Sequence, residues 1–390
     1  MICRASMPEP ERILVVRNRF IGDTVLAIPF LRNLRQRFPG ALIDVLVEPA
    51  AQDVLVDCPY IDEIIVWSRP HRSTLALPRV LRSVFQLAAK LRRRRYTRGY
   101  VLKRSLASGL LVWLAGIPHR VGLTTKGRSP LLTHPVALRR QRHEAELFLD
   151  LLREDGIEVD DGRNENWTSR AAAGKVERLL ARTPAGRPRI FVAPKSTDER
   201  KEWPAERMGR TIRRLVEKRG CEVFFCGGPD DSEHHLEIRA HAGPEAAGHI
   251  HDLTAELSLR EAAALISRMD LCCGVDTGLP HIAASFGVPS VVLFGRSDCE
   301  KWHPWKAPCR LVRSPSSSML DIEVEEVVAA VSQLLDVGRP AVATQPTRTI
   351  KTLDLRQGRY RYEVVSTGDA SDSKDRAAAE PAVKPLAQAH

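Results

Sequence analysis

Short apolar runs alternate with longer amphipathic stretches along most of this 390-residue chain. Runs such as Arg12–Val16 (RILVV) and Ser290–Phe294 (SVVLF) are rich in β-branched residues, which favours strands. The pattern predicts strands at 12–16, 41–47, 61–67, 99–102, 120–122, 189–193, 221–226, 270–273 and 290–294, and helices at 24–38, 51–56, 78–95, 106–115, 142–155, 174–181, 204–219, 231–240, 259–268, 277–286 and 321–335. Strands that alternate with helices in this way predict α/β structure, with parallel sheets covered on both faces.

The alternation is interrupted once, between about residues 160 and 188, where the sequence is polar and rich in Gly, Ala, Arg and Asn. We therefore expect two tandem Rossmann-like domains, residues 1–180 and 185–340, that face each other across a cleft. Beyond Pro340 the pattern fades. Residues 341–390 are expected to form a tail whose end, after Gly368, is disordered.

The stretch from residue 269 to 294 (MDLCCGVDTGLPHIAASFGVPSVVLF) contains a candidate anion site. Its predicted helix begins at Thr277, directly after a strand. The free N–H groups and the positive dipole end of such a helix can hold a phosphate or diphosphate. Asp276, Thr277 and Gly278 are therefore candidate binding residues. Simple capping of the helix by Asp276 or Thr277 is the alternative.

Several common cofactor and catalytic signatures do not occur in the sequence. No G-x-G-x-x-G follows the first strand, and neither G-x-x-x-x-G-K-[ST] nor G-x-S-x-G is found. The eight cysteines include no C-x-x-C pair, and no D-x-D metal motif lies in either predicted domain. We therefore expect no cofactor and no metal site.

Basic charge is concentrated in one block. Residues 64–143 contain 18 Lys and Arg and no Asp or Glu, whereas acidic residues outnumber basic ones in the rest of the chain. A solvated helix face explains a short run such as 92–95, but not eighty residues without a carboxylate. We expect an anionic partner: a nucleic acid, a phosphorylated glycolipid or a membrane surface.

The sequence predicts a cytoplasmic protein. Its first twelve residues lack the apolar core of a signal peptide, and its cysteines suit a reducing compartment better than a disulfide scaffold. The most apolar run, residues 106–118, contains glycine and is too short to span a bilayer. Peripheral contact with the inner membrane is compatible with this pattern.

Three motifs together resemble glycosyltransferase family nine, the heptosyltransferases of lipopolysaccharide inner-core synthesis. They are Gly22-Asp23 after the first strand, Lys201-Glu202-Trp203-Pro204 in the second half, and residues 276–281 (DTGLPH). Residues 100–102 (YVL), Ser105 and residues 115–122 (AGIPHRVG) are similar to the heptosyltransferase II branch. The resemblance covers about residues 12–337.

The resemblance implies a B-type glycosyltransferase fold, in which the first domain binds the acceptor and the second binds the nucleotide sugar. It also implies inverting, metal-independent transfer of heptose from ADP-L-glycero-D-manno-heptose to a phosphorylated Kdo–lipid A acceptor. The expected partners are thus a nucleotide-sugar donor and an anionic glycolipid at the inner membrane surface. No nucleic acid is expected, and the oligomeric state stays open.

The motifs assign roles to particular residues. Asp23 is the candidate general base, because inverting transfer needs a group that takes the acceptor proton. Lys201 would neutralise the leaving diphosphate in place of a metal. The other donor-binding candidates are Ser196, Thr197, Asp276, Thr277, Gly278 and His281, and the acceptor candidates in the basic block are Lys103, Arg104 and Arg120.

Some positions depart from the family pattern. Residues 296–299 (RSDC) stand where a Pro-Thr-Asp-Pro-like loop is common, and Lys103 and Arg104 stand where the heptosyltransferase II branch tends to have Pro-Asn. A family-nine enzyme with another nucleotide sugar or acceptor is therefore an alternative. A nucleic-acid-binding protein and a non-catalytic anion-binding α/β protein are two more.

Overall fold

The computed structural model describes residues 10–17, 20–68, 77–125, 127–139, 141–339, 348–354 and 359–365, with 77–81, 348–354 and 359–365 described by their backbone only. Its strands form two sheets. They are β1 (Arg12–Val16), β2 (Leu42–Val47), β3 (Glu63–Val66), β4 (Arg98–Val101), β5 (His119–Leu123), β6 (His134–Val136), β7 (Arg189–Ala193), β8 (Glu222–Phe225), β9 (Ile250–Asp252), β10 (Leu271–Val275), β11 (Ser290–Phe294), β12 (Cys309–Arg313), β13 (Arg348–Asp354) and β14 (Arg359–Val365).

Helices cover both sheets. They are α1 (Ile21–Val25), α2 (Ile28–Arg37), α3 (Pro49–Leu55), α4 (Leu77–Arg93), α5 (Leu106–Leu114), α6 (Glu144–Glu154), α7 (Arg170–Leu180), α8 (Ala205–Arg219), α9 (Ser232–Ala242), α10 (Pro244–Ala247), α11 (Leu259–Ile266), α12 (Gly278–Ser285), α13 (Cys299–Trp302) and α14 (Val324–Val337). The predicted α/β class is confirmed.

The two sheets have the same internal topology. The first has the order β14-β13-β3-β2-β1-β4-β5-β6, and the second has the order β12-β11-β10-β7-β8-β9. The described strands pair in parallel throughout, except β13 with β14. In each sheet the order reverses between two central strands, β1 and β4 or β7 and β10. Ligands of doubly wound sheets bind beyond the carboxyl ends of such strands, so the fold marks one switch point in each domain.

The first predicted helix is divided in the structure. We expected one helix over 24–38, but α1 ends at Val25 and α2 begins at Ile28. Pro29 occupies the first turn of α2, where its missing N–H costs no hydrogen bond. Asp23 consequently lies inside a short helical turn of its own.

Helix α5 is only partly buried, although it lies in the most apolar run of the sequence. Leu111 and Val112 pack inside, whereas Leu106 is 54% exposed and Trp113 is 49% exposed. Within the described part of the chain, no helix combines the length and apolar character that crossing a bilayer requires.

The tail contributes two strands to the first sheet. Strand β13 pairs in parallel with β3, and β14 continues the sheet beside it. The predicted disorder after Gly368 lies outside the described residues.

One apolar core runs through the contact between the two halves. Phe30 and Leu34 of α2 belong to the same buried cluster as Ala263 and Leu265 of α11 and Ile282 of α12. Asp57, after α3, also accepts three hydrogen bonds from Arg260 of α11, the shortest at 2.8 Å. The two halves therefore contact each other closely along the cleft.

Candidate active site

Helix α1 of the first domain contacts α12 of the second across the cleft, and each helix contributes a glycine to the contact. A Cβ on Gly22 would lie 2.6 Å from Cδ2 of His281, and a Cβ on Gly278 would lie 2.9 Å from Cβ of Ile21. Only a residue without a side chain allows this approach at either position.

Asp23 lies at this contact, in the first turn of α1. Its carboxylate forms an ion pair with Arg17, which also donates from Nε to the Asp23 carbonyl at 3.2 Å. The guanidinium of Arg17 is nearly buried and lies over the ring of Phe148, 4.8 Å from its centroid. The position of the predicted base is thus fixed by an arginine that follows β1.

Lys201 and Asp276 meet on the other side of the cleft. Lys201 ends a 3-10 turn, Glu199–Lys201, and its ammonium lies 2.7 Å from Oδ2 of Asp276. Thr277 is the N-cap residue of α12, but its side chain makes no capping hydrogen bond. Neither the Asp276 carboxylate nor the Thr277 hydroxyl is therefore used as a cap, which was the alternative for these residues.

His281 connects these groups. Its side chain is buried on α12, and Nδ1 has no hydrogen-bond partner among the described residues. Burial lowers the pKa of His281, while Asp276 and Asp23 act in the opposite direction and Lys201 adds to the lowering. These interactions show that Asp23, Lys201, Asp276 and His281 share one electrostatic environment. The imidazole there is neutral near pH 7.

Ser196 and Thr197 line a cavity of about 420 Å³, and Thr277 and Gly278 form another part of its wall. The cavity has an apolar wall, formed by Leu257, Leu259, Ala262 and Leu279. The backbone N–H of Ser196 donates to Oε1 of Glu202 at 3.1 Å, and its hydroxyl oxygen accepts from the N–H of Asp198 at 3.3 Å. The hydroxyl of Ser196 therefore keeps its hydrogen for a ligand.

Sequence reasoning missed several residues of this cavity. Gly227, Gly228 and Asp231 follow β8, and Oδ2 of Asp231 accepts from the N–H of Gly228 at 2.8 Å. Lys195 follows β7 and lies 3.0 Å from Glu202. All of them stand just beyond the carboxyl end of a strand, and that placement is the signal by which they could have been found.

The acceptor candidates separate in the structure. Lys103 and Arg104 lie beyond the carboxyl end of β4, on the cleft side. Both oxygens of Glu144 accept from Arg104 at 2.8 Å, and Lys301 of the second domain lies 3.5 Å from the same carboxylate. Arg120 is instead near the amino end of β5, where its guanidinium donates to the carbonyls of residues 117, 118 and 131. The structure therefore does not bring Arg120 to the cleft.

A buried arginine supports the loop after β4. Arg128 is completely buried and donates to the carbonyls of Val101, at 3.1 Å, and Lys103. Burial lowers its pKa to about 10, with a further contribution from Arg104. Gly109 and Gly122 leave the space through which this side chain passes. No sequence pattern had pointed to Arg128.

Comparison with known proteins identifies the family of the chain. The model of "Glycosyltransferase family 9 (heptosyltransferase)" matches residues 84–330. Lipopolysaccharide heptosyltransferase 2 of Escherichia coli K12 is 27% identical over 321 residues, which cover 77% of this chain and 88% of the relative.

Solved structures give the same result. The E. coli ADP-heptose LPS heptosyltransferase II is 25% identical, with a TM-score of 0.70 over 84% of this chain and 99% of that one. An E. coli heptosyltransferase solved with ADP is 20% identical and shares the fold, with a TM-score of 0.66 over 83% of this chain and 99% of that one. The two facing Rossmann-like domains are thus the B-type glycosyltransferase fold, and the chain belongs to glycosyltransferase family 9, the family of the heptosyltransferases.

Proposed function

We propose that this glycosyltransferase moves a heptose, with inversion, from ADP-L-glycero-D-manno-heptose to the phosphorylated Kdo–lipid A inner core of lipopolysaccharide. The observation that carries the proposal is the meeting of Asp23 with Lys201, Asp276 and His281 across the cleft, at the switch points of both sheets. The carboxylate of Asp23 thereby faces the N-terminus of α12 and the ammonium group of Lys201. Direct displacement of a diphosphate needs this combination.

Asp23 is the general base in this scheme. Its carboxylate takes the proton from the acceptor hydroxyl while the hydroxyl oxygen forms a bond to the anomeric carbon of the sugar. The bond from that carbon to the diphosphate oxygen breaks on the opposite face, so the configuration inverts and ADP leaves with the electron pair. Arg17 holds the carboxylate in place for this step.

Lys201 and α12 stabilise the leaving diphosphate. Negative charge grows on the diphosphate as the bond breaks, and the Lys201 ammonium and the free N–H groups of α12 are placed to receive it. The buried imidazole of His281 is neutral, so it can donate one hydrogen bond without adding charge. We propose that these groups perform the charge neutralisation for which other transferases use a metal ion.

The 420 Å³ cavity is the proposed nucleoside site. Its hydroxyl and backbone groups suit a ribose and diphosphate, and its leucine-rich wall suits the flat face of an adenine. The related E. coli heptosyltransferase solved with ADP has the same fold, which supports an adenine nucleotide as donor.

Lys103 and Arg104 are the proposed contacts for the phosphates and carboxylates of the acceptor. They lie at the cleft side of β4, where Lys103 is 3.5 Å from Glu48 and Arg104 is paired with Glu144. The anchoring of Arg104 by Glu144 fixes its guanidinium before the acceptor arrives, which lowers the ordering cost of binding.

The acceptor is a lipid, and we propose that α4 and α5 rest on the membrane that contains it. The two helices pack together and expose Phe85 (54%), Leu106 and Trp113 among the exposed basic residues Arg82, Lys90, Arg92 and Arg93. Apolar side chains among cations are typical of surfaces that bind anionic lipid.

The amount of protein that sediments with anionic vesicles should fall when Phe85 and Trp113 are both replaced by Ser. It should not fall for Leu236→Ser, which removes an exposed leucine on α9; equal binding by all three proteins would refute this surface.

The enzymatic proposal is tested by release of nucleoside diphosphate from a panel of nucleotide sugars. The acceptors are Kdo–lipid A extracts with and without one heptose. We expect turnover with ADP-heptose, and a loss of about 10²- to 10⁴-fold in Asp23→Asn. Asp160→Asn changes an exposed carboxylate in the connection between the domains and serves as the control.

Each other outcome has a defined meaning. Turnover with a different nucleotide sugar would replace the proposed donor but keep the mechanism. Turnover that survives in Asp23→Asn would refute the assigned base. No turnover with any donor and acceptor pair would refute the proposed reaction.

A further inference from the structure

A second cluster of titratable side chains lies at the amino ends of the strands of the first sheet, on the side away from the cleft. His119 begins β5 and His134 begins β6, so both stand at the amino ends of their strands. The cleft residues follow the carboxyl ends. Asp155, the residue after α6, completes the cluster. One ligand atom from each of the three residues lies within 4.8 Å of the other two.

Strand register brings these residues together. Val121 pairs with His134 on β6 and with Tyr100 on β4, while His119 pairs with Arg98. Since side chains two residues apart share a face of a sheet, His119 and His134 project from the same face. Their ring centroids are 4.1 Å apart.

Asp155 is held in position against this face. Its side chain is almost completely buried, and its Oδ2 accepts from the hydroxyl of Tyr100 at 2.6 Å and lies 3.4 Å from Arg98. Oδ1 lies 2.7 Å from Nε2 of His119. One carboxylate oxygen is thus occupied by Tyr100 and Arg98, and the other faces the imidazoles.

We propose that His119, His134 and Asp155 bind a divalent transition-metal ion, with Zn²⁺ as the natural occupant. Two imidazoles and one carboxylate suit Zn²⁺ or Co²⁺, whereas Mg²⁺ and Ca²⁺ require mainly oxygen ligands. Nitrogen and oxygen ligands of one tetrahedral zinc ion are roughly 3.3 Å apart. Nε2 of His119 and Oδ1 of Asp155, which are 2.7 Å apart, therefore separate by a few tenths of an ångström when the metal binds. The proton between these two atoms is released at the same time.

Such an ion has a structural role. Strand β6 has three residues and is an edge of the first sheet. A metal bound by β5, β6 and the residue after α6 would fasten this edge to the helix that covers it. The five residues of β5 separate the cluster from the cleft edge by roughly 16 Å, so metal loading should leave the transfer reaction unchanged.

The test is titration of the chelator-treated full chain with Co²⁺, read from its visible ligand-field absorption, followed by competition with Zn²⁺. We expect one tightly bound ion per chain and a higher melting temperature with Zn²⁺. His134→Asn should weaken binding at least about tenfold and abolish the thermal shift. His134 is exposed, so this variant should still fold, and His241→Asn, at an exposed histidine of α9, is the matched control.

Two results would overturn the site. One is the absence of stoichiometric Co²⁺ binding by the wild-type chain, which would leave an ordinary His–Asp hydrogen bond. The other is binding that is unchanged in His134→Asn, which would place the ion elsewhere. Neither result depends on whether the proposed heptosyl transfer takes place.

Discussion

At the scale of single residues, the glycine contact between the domains has a measurable consequence. We expect Gly22→Ala to displace His281, because the new Cβ would lie 2.6 Å from its ring. A displacement of this size beside the reacting groups should lower kcat/KM by about 10- to 100-fold. Steady-state kinetics and thermal unfolding of the variant would measure the effect.

Gly40→Ala is the matched control for this substitution. No atom lies within 4 Å of the position that its Cβ would take, so activity should stay at the wild-type level. If Gly22→Ala were as active as Gly40→Ala, the close approach of α1 and α12 would not matter for catalysis.

Single residues also show which kinds of position sequence reasoning can select. Asp23, Lys201 and Asp276 follow strand ends and match family motifs, so both kinds of reasoning led to them. Arg17 and Arg128, in contrast, belong to none of the motifs in the sequence. Arg17 pairs with the carboxylate of Asp23, and Arg128 donates to two backbone carbonyls. Neither arrangement produces a recognisable motif in the sequence.

At the scale of structural elements, Arg128 joins the end of β4 to the segment after β5. Replacing it by Met would leave the buried carbonyls of Val101 and Lys103 without their donor. We expect the free energy of unfolding to fall by about 2 kcal/mol, and acceptor binding to weaken because Lys103 and Arg104 lie on the affected loop. Urea unfolding and acceptor KM would measure the two effects.

Arg139→Met provides the comparison. Arg139 is half exposed and pairs with Glu154 at the surface, and such pairs contribute little to stability. Its removal should change the free energy of unfolding by no more than about 0.5 kcal/mol. Equal effects of the two substitutions would contradict the supporting role of Arg128.

Elements differ in how well the sequence predicts them. Strand β1 was predicted at its observed bounds, because an apolar run between polar residues is a local signal. The division between α1 and α2 was missed although Pro29 signals it, because proline disrupts a helix interior and is tolerated in the first turn of a new helix. Strands β13 and β14 were missed because β13 pairs with β3, almost three hundred residues away.

At the scale of the whole molecule, His143 of the first domain contacts His303 and Trp305 of the second, and this contact should depend on pH. Its Nδ1 accepts from the N–H of Ala145 at the start of α6, so Nε2 carries the proton and donates to the carbonyl of His303 at 2.9 Å. The ring stacks on Trp305 of the second domain. Burial lowers the pKa of His143 from 6.5 to about 3.

Acid should therefore weaken this contact. Between about pH 6.5 and pH 3 the unfolded chain holds more protons on His143 than the folded chain does, so stability is present above that window and falls as the pH falls through it. The slope is up to about 1.4 kcal/mol per pH unit. Protonation of Nδ1 would also remove the cap of α6.

Urea unfolding at several pH values would measure this slope. Burial also lowers the pKa of His235 and His281, which add slopes of the same sign, so the informative quantity is the difference between wild type and His143→Gln. We expect a shallower slope in His143→Gln and a wild-type slope in His241→Gln. Identical slopes in all three proteins would show that His143 is not responsible.

The helix contact at Gly22 and Gly278 also limits how the domains of this chain can be recombined with those of relatives. Gly22 leaves room for His281 of the second domain, and Gly278 leaves room for Ile21 of the first domain. A chimera that joins the first domain of this chain to the second domain of a relative must preserve both halves of this fit. Substrate specificity should therefore be easier to exchange through loops at the cleft edge than through whole domains.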